Sequence, residues 1–271
     1  MKTLYISDLD GTLLNDRARL SSFTRKTLEA LMEKGVLFTY ASARSYVSAS
    51  GVLEGFEPKV PSIIYNGTFI RDSQGGAFTL VDKFRHGEGR KILSKLKNGG
   101  ICPLVYAFIE GKECFSFVEE ELSDGVLEFV NEHRDDPRIN PTSADKLDEG
   151  EIFHFTCIDS EEKLIPMYEA LKNEHQCVYY KEQYSGRWWL EIHPIGATKA
   201  NAVLKLKEML GADRVVCFGD GVNDISMFEV SDECYAPSNA HDSVKAIADG
   251  IIDTNENDGV AKWLLENTEE I

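Results

Sequence analysis

The chain has 271 residues, of which 42% are hydrophobic and 28% charged, a balance that fits a globular protein and excludes the disordered and fibrous classes. Its net charge of −17 argues against nucleic acid or an anionic membrane as partner, because binding either needs a basic surface that displaces counterions. The length admits one elaborated domain or two, and two are expected.

Met1-Lys2-Thr3 leads straight into a strand without the pattern of a signal peptide. No apolar run approaches the length that spans a bilayer, so a cytoplasmic protein is expected. The cysteines, Cys102, Cys114, Cys157, Cys177, Cys217 and Cys234, form no Cys-x-x-Cys pair and mostly sit in apolar runs; free, buried thiols are expected.

In chain order, Leu4-Tyr5-Ile6-Ser7 reads as a short buried strand that breaks into Asp8-Leu9-Asp10-Gly11-Thr12. A helix capped by Ser21 or Ser22 follows, with Phe23, Leu28, Leu31 and Met32 on its apolar face, and stops at Gly35. Residues 36–41 form a second strand ending in Ser42-Ala43-Arg44, then come a helix over 45–53 and a strand over 63–65 that ends in Asn66-Gly67. Strands that are apolar almost throughout, alternating with helices, predict a parallel sheet. Residues 69–71 and 78–81 read as a hairpin.

From about residue 83 the rhythm changes. Helices over 88–96, 122–133 and 161–174 separate hairpin-like strands over 104–109, 114–118, 152–158, 176–181 and 188–192, with 137–141 irregular. That predicts an antiparallel α+β module inserted into the first fold. The parallel rhythm returns with a helix over 199–210, the strand 215–218 and the turn Gly219-Asp220-Gly221-Val222-Asn223-Asp224, and a last helix carries Trp263 and Leu265. The expected division is a core of 1–82 and 189–271 around an insertion of 83–188.

Two apolar strands that each end in glycines and carboxylates place acids at the carboxyl edge of an α/β sheet, where such folds bind ligands. Hard cations such as Mg²⁺ take carboxylate and phosphate oxygens, and a positioned Asp can attack phosphorus. Asp8 is read as nucleophile and Asp10 as acid/base; the alternative is a turn in which Asp10 or Thr12 caps a helix. If the two strands are neighbours, Asp220 completes the cation's oxygen shell, Asp224 orients that shell or a lysine, and Asn223 donates to a phosphoryl oxygen. A capped helix start would explain the same segment. Lys199 stands in the first turn of a helix, where the macrodipole disfavours a cation; neutralising a phosphorylated carboxylate would account for it, and a solvated surface lysine is the alternative. Ser42 with Arg44 offers a hydroxyl and helix-start N–H groups to a phosphate, or a plain cap. His86, His154, His175 and His193 show no metal-ligand spacing and are read as core or surface residues. Trp188 and Trp189 must point to opposite faces of their strand. The acidic runs 119–121 and 269–270 read as solvated charge.

In this order and combination the residues resemble the haloacid dehalogenase superfamily of phosphatases, through Asp8-Leu9-Asp10-Gly11-Thr12, Ser42, Lys199 and Gly219-Asp220-Gly221-Val222-Asn223-Asp224. Asn66-Gly67, Glu191-Ile192-x-Pro194-x-Gly196 and the insertion resemble its Cof-type sugar phosphatases with a type 2 cap. The resemblance implies a Rossmann-like parallel core with an inserted α+β cap domain, and a Mg²⁺-dependent phosphatase acting on small phosphorylated metabolites. It implies Asp8, Asp10 (through its backbone) and Asp220 as metal ligands. Ser42, Ala43, Arg44, Asn66, Lys199 and Asn223 become phosphate-site residues, with Gly11, Thr12, Gly219 and Asp224 in support. The family usually has Thr-Gly-Arg where this chain has Ser42-Ala43-Arg44, and Ala disfavours positive φ, so a different loop is expected there. The paired acids argue against carbon–halogen cleavage. A phosphomutase with the same motifs, and a non-catalytic sugar-phosphate sensor, are the alternatives. The insertion is expected to select substrates, with Tyr184, Arg187 and Trp188 as candidate contacts.

Overall fold

The structure, a computed structural model, describes residues 1–73, 76–181 and 186–268. The chain divides into two compact units, Met1–Val81 with Ala197–Ile271, and Asp82–Gly196.

The first unit begins with β1 (Thr3–Ser7), α1 (Ser22–Glu33), β2 (Leu37–Tyr40) and α2 (Tyr46–Leu53). Ser21 caps α1 by accepting the Thr24 N–H, and Ser45 caps α2 by accepting that of Ser48. Phe23, expected on the buried face of α1, is 43% exposed, because at helical spacing it falls beside the buried stripe of Thr24, Thr27, Leu28, Leu31 and Met32. Next come β3 (Ser62–Ile64), β4 (Phe69–Arg71) and β5 (Phe78–Leu80), which form a small antiparallel sheet. The pattern of residues 63–65 predicts a third parallel strand, yet β3 joins the large sheet through a single parallel bridge, Ala41 to Ile63. The reason is the turn that follows it: Tyr65, Asn66 and Gly67 have φ of 51°, 52° and 97° and reverse the chain at once.

The second unit holds α3 (Glu88–Asn98), β6 (Leu104–Ile109), β7 (Lys112–Phe117), α4 (Asp124–Glu132), β8 (Ile139–Pro141), β9 (Glu151–Asp159), α5 (Glu161–Leu171), β10 (Gln176–Lys181) and β11 (Trp188–His193). Its sheet has the order β10-β11-β9-β6-β7-β8 and is antiparallel except where β8 runs parallel to β7. The stretch read as irregular thus contains an edge strand, too short for alternation to reveal and ended by Pro141, a residue that sheets admit at their edges. Apolar residues of α3 and α5, among them Ile92, Leu96, Leu164 and Leu171, pack with Val105, Phe155, Cys157, Leu190 and Ile192 on one sheet face.

The expected domain boundary after residue 188 needs correction. It cuts into β11, whose six residues all pair with β10 and five of which pair with β9. The strand runs on until Pro194, and the Gly196 N–H donates to the Asp82 carboxylate at 2.7 Å. The insertion therefore closes on itself at residues 82 and 196.

The first unit resumes with α6 (Lys199–Leu210), β12 (Arg214–Phe218), α7 (Ile225–Phe228), β13 (Glu233–Pro237), α8 (Asp242–Lys245), β14 (Gly250–Ile252) and α9 (Gly259–Thr268). Its large sheet is wholly parallel, in the order β14-β13-β12-β1-β2. Leu4, Ile6, Val215, Val216, Cys217 and Phe218 are fully buried, as strands covered on both faces require. On one face α9 lays Trp263 against Tyr5, Phe218 and Tyr235. From β1 the chain moves to β2 on one side and from β12 to β13 on the other, so the order reverses between β1 and β12. That is where open α/β sheets form a crevice at the strand ends.

All six cysteines are unbridged; Cys102, Cys157, Cys217 and Cys234 are buried, and Cys114 and Cys177 half-buried. Among the described residues no helix is long and apolar enough to cross a membrane.

Candidate active site

β1 and β12 run side by side in register, Ile6 beside Cys217 and Ser7 beside Phe218. The Asp8 N–H donates to the Phe218 carbonyl at 2.8 Å, extending the ladder by one residue. The two acidic turns are therefore neighbours, and one donor oxygen from each of Asp8, Asp220 and Asp224 lies within 4.8 Å of the others.

Lys199 enters this group from the start of α6. Thr198 caps the helix by accepting the Asn201 N–H, and the lysine, 1% exposed, donates to Asp8 Oδ1 at 2.5 Å and to Asp224 Oδ1 at 2.6 Å. These two carboxylates outweigh the unfavourable dipole at the helix start and answer why a cation stands there. Burial alone would pull the Lys199 ammonium down, but Asp224 and Asp8 hold it above its ordinary value. The other oxygen of Asp224 accepts the N–H groups of Asp220 and Gly221 at 3.0 and 2.9 Å. Asp224, fully buried, thus holds both the turn and the lysine.

Thr12 does not cap a helix; its hydroxyl donates to Asp220 Oδ1 at 2.7 Å. Gly11 has φ of +74°, and a Cβ there would stand 2.3 Å from Asp220 Oδ2, so only glycine lets the first turn approach the second carboxylate. Gly219 is similarly tight, a Cβ falling 2.6 Å from the Asp224 side chain. One ammonium faces three buried or half-buried carboxylates. The consequence is that burial, reinforced by the charges of Asp224, Asp220 and Asp10 against the pull of Lys199, pushes Asp8 well above the carboxylate range. Burial likewise lifts Asp220 to about 6 despite its bond to Thr12. A set of hard oxygen donors short of positive charge is compatible with a divalent cation.

The remaining candidates are arranged less as expected. Arg44, read as a phosphate ligand, clasps Asp10 with two bonds, Nε to Oδ2 and Nη2 to Oδ1, both 2.7 Å, while its Nη1 donates to Ser48 Oγ at 2.8 Å. Ser42 is 1% exposed, and its hydroxyl accepts the Arg44 N–H at 3.1 Å. Ala43 is not among the non-glycine residues with positive φ, so this loop runs without the conformation that a glycine would be needed for. The Asn223 amide donates to Asn66 Oδ1 at 3.1 Å, which places both expected phosphate-site asparagines side by side. Gly67, with φ of +97°, brings that turn against α6: a Cβ would stand 2.2 Å from the Thr198 carbonyl.

Asn239 was not anticipated. Its amide donates to the Gly11 carbonyl at 2.8 Å and its Oδ1 accepts the Asn255 N–H at 3.1 Å, tying the first turn to the end of β13. The signal was present in Ala236-Pro237-Ser238-Asn239, another strand that ends in polar residues.

The candidates in the insertion fare differently. Arg187 donates to Glu128 at 2.6 Å, Trp188 stacks on Tyr179 at 4.9 Å, Trp189 meets Phe129 edge-on, and Tyr184 lies outside the described residues. Glu119, Glu120 and Glu121 are exposed, whereas residues 269–270 lie outside the described residues. Of the histidines, His154 and His193 are buried, as core residues, and they come together with Glu191 so that one donor atom of each lies within 4.8 Å of the others. They are far apart in sequence and meet only because β9 and β11 pair.

Comparison with known proteins agrees with this geometry. A family model for haloacid dehalogenase-like hydrolases matches residues 5–264. The chain is 27% identical over 268 residues to 5-amino-6-(5-phospho-D-ribitylamino)uracil phosphatase YitU of Bacillus subtilis (strain 168), covering 96% of this chain and 95% of that protein. It is 28% identical to the phosphatase of the same description, YcsE, covering 95% and 94%. Among solved structures, a haloacid dehalogenase-like hydrolase from Bacteroides thetaiotaomicron superposes with a TM-score of 0.80 at 25% identity, over 98% of this chain and 99% of that one. TM0651 from Thermotoga maritima gives 0.78 at 25% identity, over 98% and 97%. The chain belongs to the haloacid dehalogenase-like hydrolase family and is a phosphatase of that superfamily.

Proposed function

We propose that the protein hydrolyses small phosphate monoesters with the help of Mg²⁺, through an aspartyl-phosphate on Asp8. The observation that carries this reading is the bridge from Lys199 to Asp8 and Asp224 beside Asp220, a group of oxygens with too little positive charge of its own. Asp8 and Asp220, with the Asp10 carbonyl, are the residues that would hold the ion; bound there, it would neutralise charge on the phosphoryl group so that two anions can meet.

The chain's own groups then divide the work. Lys199 fixes one oxygen of Asp8, leaving the other to attack phosphorus in line. Ser42, Asn66 and Asn223 are assigned to the phosphoryl oxygens, with backbone N–H groups at the start of α2. Asp10 protonates the leaving alcohol and afterwards takes a proton from the water that opens the acyl phosphate. In its clasp with Arg44, Asp10 cannot do this. A phosphate dianion is a stronger partner for a guanidinium than a carboxylate is, so the entering substrate draws Arg44 away and releases Asp10.

Leaving-group selectivity is assigned to the inserted unit, since the residues above address only phosphate and metal. The names of the relatives, which act on a phosphorylated ribityl compound, favour phosphorylated sugars and sugar alcohols as first candidates. The test is phosphate release from such a panel by the purified chain, with Mg²⁺ and after chelation. Mg²⁺-dependent release supports the reading, and rates that survive chelation contradict it.

A further inference from the structure

The second group of donors lies wholly within the inserted unit. In the antiparallel pair of β9 and β11, Glu191 stands opposite Thr156 and Ile192 opposite Phe155, so His193 follows opposite His154. Alternation puts His154, Thr156, Glu191 and His193 on one face of the sheet. The imidazole rings stack with centroids 4.2 Å apart at 27°, and His193 Nε2 lies 3.5 Å from Glu191 Oε2. His154 is 4% exposed and His193 1%, and the Tyr106 ring covers His154 at 4.8 Å. We propose that His154, Glu191 and His193 bind a transition-metal cation of the Zn²⁺ type, which staples β9 to β11.

The chemistry of the donors separates this site from the carboxylate cluster. Two imidazoles and one carboxylate suit Zn²⁺, while Mg²⁺ prefers oxygen throughout. Zn²⁺ bonds of about 2.0–2.2 Å in tetrahedral array need donors roughly 3.4 Å apart. The atoms here lie within 4.8 Å of one another, so binding requires the three side chains to draw together around the ion. The Thr156 hydroxyl stands 2.8 Å from His154 Nε2, the kind of partner that orients a ligating imidazole. The Ile192 backbone also bonds to His154.

The test is a titration of the chelator-treated, full-length protein with Zn²⁺, and with Co²⁺ as a spectroscopic probe. The expected result is one tight class of about one ion per chain, with the intense visible bands of four-coordinate Co²⁺. Asp220→Asn should retain it. Glu191→Gln and His193→Gln should each weaken it roughly tenfold or more, and the first, at a partly exposed side chain of unchanged size, keeps the test open if the second misfolds. A tight class lost in Asp220→Asn and kept in Glu191→Gln, or a Co²⁺ spectrum of six-coordinate type alone, overturns the proposal.

Discussion

Replacing Lys199 by Met removes the one ammonium from a pocket where Asp8 is 6% exposed and Asp224 fully buried. Methionine fills nearly the same volume, so the change isolates charge from packing. Taking one partner from a buried ion pair costs about 3–5 kcal/mol, because the carboxylates left behind lose their compensation. For a domain of this size about 2–4 °C accompany each kcal/mol, so a fall of roughly 10 °C is expected at pH 7 in the presence of chelator. The deficit must also depend on pH. Asp8 already lies above its ordinary value, and Lys199 is what pulls it down, so in the variant it rises further. A carboxyl raised in the folded state binds protons that the unfolded chain has released, so the penalty is full at high pH and vanishes as pH falls toward about 4. Calorimetric scans between these limits measure both effects. Lys207→Met is the control: its pair with Asp232, 2.9 Å long but partly exposed, should be worth less than about 1 kcal/mol. A Lys199→Met protein that melts within about 2 °C of wild type at every pH would refute the reasoning.

Three other outcomes are expected. Asp220, lifted to about 6, should bind protons in competition with Mg²⁺, so the affinity seen by calorimetry should be flat above pH 7 and weaken as pH falls below about 6; an affinity that strengthens in acid would remove Asp220 from the ligand set. Asp10→Asn should attack activated aryl phosphates yet release phosphate slowly, giving a burst in rapid-mixing kinetics, since an amide cannot act as base on water; equal loss on aryl and sugar phosphates without a burst contradicts the role. Gly67→Ala combines a positive φ with a Cβ 2.2 Å from the Thr198 carbonyl, and should cost at least about 2 kcal/mol and displace Lys199; a fully stable and active variant would show that this approach is not required.

The core was legible because its strands are short, apolar and each ended by a polar turn, so period and punctuation agreed. Lys199 was legible as an oddity, a cation at a helix start, before its partners could be known. What stayed hidden depended on side chains meeting across distance. Arg44 was read toward phosphate because nothing in sequence brings Asp10 to it, and the pairing of His154 with His193 follows only from the register of β9 and β11. The boundary near residue 188 was misplaced because two tryptophans in succession read as a strand start but not as the strand's allegiance; only its partners β9 and β10 assign it. The edge strand β8 has three residues, fewer than alternation needs.

The central claim is that Asp8 carries the phosphoryl group. The direct measurement is mass spectrometry of the Asp10→Asn protein, quenched in acid after brief exposure to an aryl phosphate with Mg²⁺ and digested. A phosphate adduct on the peptide containing Asp8, labile to hydroxylamine and absent when Asp8 is also replaced by Asn, is the predicted result. Turnover by an Asp8→Asn protein at near wild-type rate, or an adduct on any other residue, would contradict it.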